Sequence, residues 1–164
     1  MQIMKILRKI AIAAAPILVL GLAGVLVRAL SAGDGDKSGE KLSPEETVLV
    51  FNRYMLSGEC DSAERLCTEQ MAGHLGRYRE VWEELQSQDS VVRSAAGRML
   101  DSVEVHISGT EKADNGRILV YYRISSPVPG PVEKIKVAEL AEHKLHGEGG
   151  SVWRIEKILD GEEN

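Results

Sequence analysis

The sequence predicts an α+β domain carried behind a membrane-spanning N-terminal helix. Three observations predict it. An uncharged apolar run, Ile10–Val27, follows the basic residues Lys5, Arg8 and Lys9. From Leu42 to about Leu100 apolar residues recur at helical spacing. Beyond Leu100 the period falls to 2, the mark of half-buried strands. Helices come first and strands after, so the expectation is helices on one face of a curved antiparallel sheet of about four strands, not a βαβ fold.

The N-terminal segment sets the address. At about 1.5 Å rise per residue, Ile10–Val27 spans roughly 27 Å, close to the thickness a helix must cross in a bilayer. Pro16, Gly21 and Gly24 are tolerated in membrane helices, and Arg28 can snorkel to the far interface. A secretory signal has a shorter apolar stretch, about 7–15 residues, and a small-x-small cleavage site. The nearest such site is Ala29-Leu30-Ser31, with Arg28 just ahead of it. Residues 1–30 are therefore read as an uncleaved signal anchor. The alternative is cleavage near Ser31 and a soluble secreted or periplasmic form. Basic residues crowd the short N-terminal side, which keeps that side cytoplasmic. The chain is expected to cross a bacterial inner (cytoplasmic) membrane once, held by residues 10–30, with its C-terminal domain outside the cytoplasm. Residues 31–41, SAGDGDKSGEK, are Gly, Ser and charge, and predict a flexible stalk.

Four of the 20 basic residues (Lys5, Arg8, Lys9 and Arg28) belong to the anchor. The 16 that remain face all 25 acidic residues, a net charge of −9. Nucleic-acid binding wants a basic face, so nucleic acid is excluded as a partner. The only cysteines are Cys60 and Cys67. Seven residues along a continuous helix is about 10.5 Å of rise, beyond the Cα separation a disulfide accepts. Both are expected to be buried free thiols. No His stands at ligand spacing from either, so no metal is expected, and no cofactor.

The domain, 42–160, opens at a capping box, Ser43-Pro44-Glu45-Glu46, with Pro44 at the first helical position. Val48, Phe51 and Met55 should face the core, and Gly58 should end the helix. A second helix is predicted from Asp61, its N-cap, to Gly73, with Ala63, Leu66, Cys67, Gln70 and Met71 on one face. Leu75, Tyr78, Trp82 and Leu85 form a third stripe. After a polar break at Gln86–Ser90, Val92, Ala95, Ala96 and Met99 predict one more short helix. Val103, Val105 and Ile107 then alternate with Glu104, His106 and Ser108 as a strand. Asn115-Gly116 marks a hairpin turn. Ile118, Val120, Tyr122 and Ile124 mark the inward face of the next strand. Ser126–Pro131 is a stiff Pro-rich connection. Residues 132–145 read either as a strand with a bulge near Ala138–Glu139 or as a helix face, and the strand is preferred because Gly147–Gly150 makes a hairpin loop. The last strand, Val152–Leu159, puts Trp153 and Ile155 on one face, and 161–164 is a polar tail.

Ser43-Pro44-Glu45-Glu46-Thr47-Val48, Gly58-Glu59-Cys60-Asp61-Ser62-Ala63 and Val152-Trp153-Arg154-Ile155 carry a resemblance. Over Leu42–Leu159 the chain resembles the nuclear-transport-factor-2-like (cystatin-like) superfamily. In detail it is similar to a lumazine-binding-domain-like family of exported bacterial proteins of unknown function. The resemblance implies a cone-shaped domain, a curved sheet wrapped around helices, often with an internal pocket. The chain departs from the pattern in two places. It has no lipidation cysteine after the apolar run, and its segment Arg79–Leu100 is long, which is expected to alter or close the cone mouth.

No catalytic set emerges. His106 points with Glu104 and Ser108, away from the apolar face. His74, His143 and His146 sit at junctions and hairpins. No carboxylate falls on a predicted inward face, so acid–base work has no home. No G-x-S-x-G elbow and no phosphate-cradling glycine loop is present. The aromatics Tyr54, Tyr78, Trp82, Tyr122 and Trp153 are predicted inward, mainly as core. Tyr54, Trp82 and Tyr122 are the candidates for lining a pocket, because buried Tyr and Trp bring polar tips that need partners. The function expected is that of a non-enzymatic, membrane-tethered domain binding an envelope protein partner or a small ligand. The alternatives are a small cone-fold enzyme of isomerase or dehydratase type, or a soluble secreted ligand-binding protein.

Overall fold

A computed structural model describes residues 41–126, 135–145 and 150–160. The predicted anchor, the stalk up to residue 40, the Pro-rich connection at 127–131 and the tail lie outside the described residues. Among those described, no helix is long and apolar enough to cross a membrane.

Helix α1 (Pro44–Ser57) starts at the predicted capping box. The Glu46 N–H donates to Ser43 Oγ at 3.1 Å, and the Ser43 N–H donates to the Glu46 carboxylate at 2.8 Å. Its buried face is Thr47, Val48, Phe51 and Asn52. The two polar members are satisfied by their own helix. Thr47 Oγ1 donates to Ser43 O and Asn52 Nδ2 to Val48 O, each at 2.8 Å. Gly58 closes α1 in the left-handed region, φ 80°.

The predicted helix from Asp61 to Gly73 is corrected to two pieces, α2 (Cys60–Glu64) and α3 (Glu69–Ala72), the latter running into a 3-10 turn at Gly73–Leu75. The physical reason lies in the last strand. Between the pieces the Ile155 N–H donates to Leu66 O at 2.9 Å and the Thr68 N–H donates to Ile155 O at 3.0 Å. Cys67 thus forms a parallel bridge to Ile155. Two backbone bonds to a strand edge replace those of a continuous helix, and Thr68 caps the second piece. Asp61 is not the N-cap either. That position is Glu59, which makes no side-chain cap, and Asp61 lies inside the helix. Gln70, predicted on the inner face, is exposed.

Helices α4 (Gly76–Gln86) and α5 (Ser90–Leu100) follow as a hairpin, with the Asp89 carboxylate accepting from the N–H groups of Val91 and Val92. Strands β1 (Glu104–Lys112), β2 (Ile118–Ser125), β3 (Lys136–Lys144) and β4 (Ser151–Asp160) form an antiparallel sheet in sequential order. The β1–β2 turn carries Gly116 at φ 78°. Residues 136–144 are strand, not helix.

Two register shifts shape the sheet. The predicted irregularity near Ala138–Glu139 is present, but the extra residue is Glu156 on β4, opposite Glu139 and Leu140. It lets both Ile155 and Ile158 reach the core, which strict alternation forbids. A second shift makes Ser108 the extra residue on β1. The main core joins α1, the α2–α3 segment and the sheet through Val48, Phe51, Ala63, Cys67, Leu75, Val120, Tyr122, Ile124, Ala138, Leu140 and Ile155. A second, smaller cluster, Leu85, Val92 and Ala96 with Trp82 against it, belongs to the α4–α5 hairpin.

Candidate functional site

An open cleft of about 560 Å³ lies where the hairpin meets the body. One wall is the turn from Ser57 to Ser62, and the other is Arg79, Trp82, Glu83 and Gln86 on α4. Gly58 makes the geometry possible. The Trp82 ring lies so close that a Cβ at position 58 would stand 2.8 Å from Trp82 Cδ2. The indole N–H donates to Met55 O at 3.0 Å, one of the α1 carbonyls left open at the helix end. Below it the Arg79 guanidinium donates to Asp61 Oδ1 at 2.7 Å and to Glu64 Oε1 at 2.6 Å.

The chemistry follows from these contacts. Glu59, Asp61 and Glu83 make the cleft acidic, and its one arginine is already held by two carboxylates. Cys60 forms part of the wall, and burial pushes its thiol pKa up against the opposing pull of Arg79. A thiol kept protonated is a poor nucleophile at neutral pH. Cys67 goes further, pushed up to about 12 by burial. The two cysteines are free and buried.

The three residues predicted to line a pocket are not brought together. Tyr122 is 1% exposed and packed in the main core. Its hydroxyl is hydrogen-bonded to Asn52, and burial raises its pKa in spite of that bond. Tyr54 packs at the margin of the same core, with the Arg53 guanidinium 5.5 Å from its ring centroid. Of the three, Trp82 alone lines the cleft. Tyr78 and Trp153 pack on the main core as predicted.

Sequence reasoning missed one inward charge. Tyr122, Lys136 and Asp160 stand in register across β2, β3 and β4. The Lys136 side chain is 4% exposed and pairs with the Asp160 carboxylate. Only the strand phase of β3 could have shown it, and that phase depended on where the bulge fell.

The face of the sheet turned from the helices carries a second polar group. Arg117 Nε donates to Glu156 Oε2 at 2.6 Å and lies 3.1 Å from Glu139 Oε1. His143 Nε2 is buried, 4.0 Å from Glu156 Oε1, with no hydrogen-bond partner. His106 lies 3.2 Å from Glu104 on the same face, as the alternation predicts. His74 is exposed, and His146 lies outside the described residues. Among the described residues, no group of three or more His, Cys, Asp or Glu side chains is placed to hold a metal ion.

Compared with known proteins, the chain matches no family model, no curated protein and no solved structure.

Proposed function

We propose that the chain is a non-enzymatic, membrane-tethered extracytoplasmic domain that binds a protein partner in the cell envelope, built on a cone-shaped, nuclear-transport-factor-2-like frame. The tether is supported by the Ile10–Val27 run behind Lys5, Arg8 and Lys9. A protein partner, in preference to an internal ligand, is supported by one observation: the space between α1 and the sheet is filled. Val48, Ala63, Val120, Ala138, Leu140 and Ile155 have no exposed surface. A small-molecule site needs a concave apolar space with a few convergent polar groups. On the inward sheet face Tyr122 is engaged by Asn52, and Lys136 by Asp160. Recognition is then left to the outer surfaces.

A thermal-shift screen against small aromatic and lipid-like compounds tests this reading. The expected result is no shift with any compound. A rise of several degrees that Trp82→Ala abolishes would replace the partner reading with a small-ligand receptor.

A second reading, a small enzyme of isomerase or dehydratase type, draws on Lys136. An amine held away from water beside Tyr122 is the kind of group a cone-fold site would use. It requires that Lys136→Met leave the fold intact and abolish a turnover. On the binding-domain reading the same change acts on stability alone.

A further inference from the structure

We infer that α4 and α5 form a hinged arm that swings away from the body as a unit, with Trp82 and Arg79 as its two latches and the Gly58 cleft as its seam. The division of the apolar side chains carries this. No hydrophobic residue between Arg79 and Ser102 belongs to the main core. The arm has its own cluster of Leu85, Val92 and Ala96, and α5 packs chiefly on α4. Opening the arm as a rigid hairpin therefore keeps its own cluster intact and withdraws from the main core only Tyr78, a half-buried side chain at its margin.

What holds the arm shut is local: Tyr78 rests on the margin of the main core, and two latches lie beyond it. Trp82 stacks against Gly58 and donates to Met55 O. Arg79 grips Asp61 and Glu64, both on α2, through partly exposed ion pairs of the kind that contribute little each. The joints at its two ends are short turns. Gly73 opens the 3-10 turn before α4 and Gly76 begins α4, and nothing lies within 4 Å of where either would carry a Cβ. Asp101 and Ser102 form the turn into β1. Segments joined by few contacts open at lower free energy than the whole molecule unfolds.

The two cysteines report on this motion from opposite sides. Cys60 lines the seam and is nearly buried with the arm closed. Cys67 sits in the main core, on a segment bonded to β4. Opening the arm bares Cys60 and leaves Cys67 covered, whereas global unfolding bares both.

The test is native-state alkylation of the full chain in mild detergent with iodoacetamide, followed by mass spectrometry at both sites. Cys60 is expected to react at least about ten-fold faster than Cys67. Arg79→Met should raise the Cys60 rate several-fold and leave the Cys67 rate unchanged. The sign is diagnostic. Arg79 lowers the Cys60 pKa, so loss of its charge alone would slow the thiol. Trp82→Phe, which keeps an aromatic ring and removes the N–H donor, should act in the same direction. Equal rates at the two cysteines in the wild type, including no reaction at either, would overturn the inference. So would a slower Cys60 in Arg79→Met, or variants that speed both sites equally.

Discussion

Cys67 shows how one buried side chain ties stability to pH. Its folded pKa is raised from the ordinary 9.0 to about 12. A group raised in this way supports the fold fully below its unfolded pKa and loses that support as pH climbs toward the folded value. Stability should therefore fall between about pH 9 and 12, and Cys67→Ala should flatten that part of the curve in urea titrations. Gly58 makes a second, independent demand. Its φ of 80° suits glycine, and a methyl group there meets the Trp82 ring. Gly58→Ala should cost more than about 1 kcal/mol in equilibrium unfolding. The same change at Gly116, φ 78° with open space around it, should cost only the backbone strain. Legibility was uneven at this scale. Tyr122 could be read from alternation, because β2 keeps a strict period from Ile118 to Ile124. Lys136 could not, since a lysine in a half-polar strand reads as solvated until its register is known.

At the scale of elements, caps and turns carried most of the readable information. Ser43 to Glu46, Gly58 and Asn115-Gly116 fall where the sequence places them, because each is a local contact between near neighbours. The break at Arg65–Thr68 was not legible. Its cause is a pair of bonds to Ile155, more than eighty residues away, and no local pattern records them. The Ser108 bulge left a faint trace, a glycine at the next position inside a strand. The break makes its own prediction. Thr68 has φ −72°, which a proline ring accepts, so Thr68→Pro removes chiefly the N–H to Ile155 O and the hydroxyl cap. A loss of about 1–3 kcal/mol is expected, read from the urea midpoint at unchanged slope. No change would mean that the bridge holds nothing.

At the scale of the whole molecule, the helices-then-strands order, the open antiparallel sheet and the inward aromatics were all legible, since period and turn residues determine them. What the sequence could not reveal was the division into a body and an arm. Leu75, Tyr78, Trp82 and Leu85 read as one stripe, but the first two join the main core and the last two the second cluster. The main core is built from residues 48–155, so the fragment 42–164 should fold without the anchor and unfold cooperatively in urea. A disordered circular-dichroism spectrum would place the domain boundary elsewhere. The proposed tether, residues 10–30 holding the domain outside the cytoplasm, is open to a membrane-topology measurement. Membranes from cells expressing the full chain are washed at alkaline pH, and intact spheroplasts are treated with external protease. A tethered chain stays in the washed pellet, and protease removes everything beyond about residue 31 while sparing the N-terminal segment. A soluble mature form beginning near Ala32, or a domain untouched by protease until the membrane is broken, would contradict the tether.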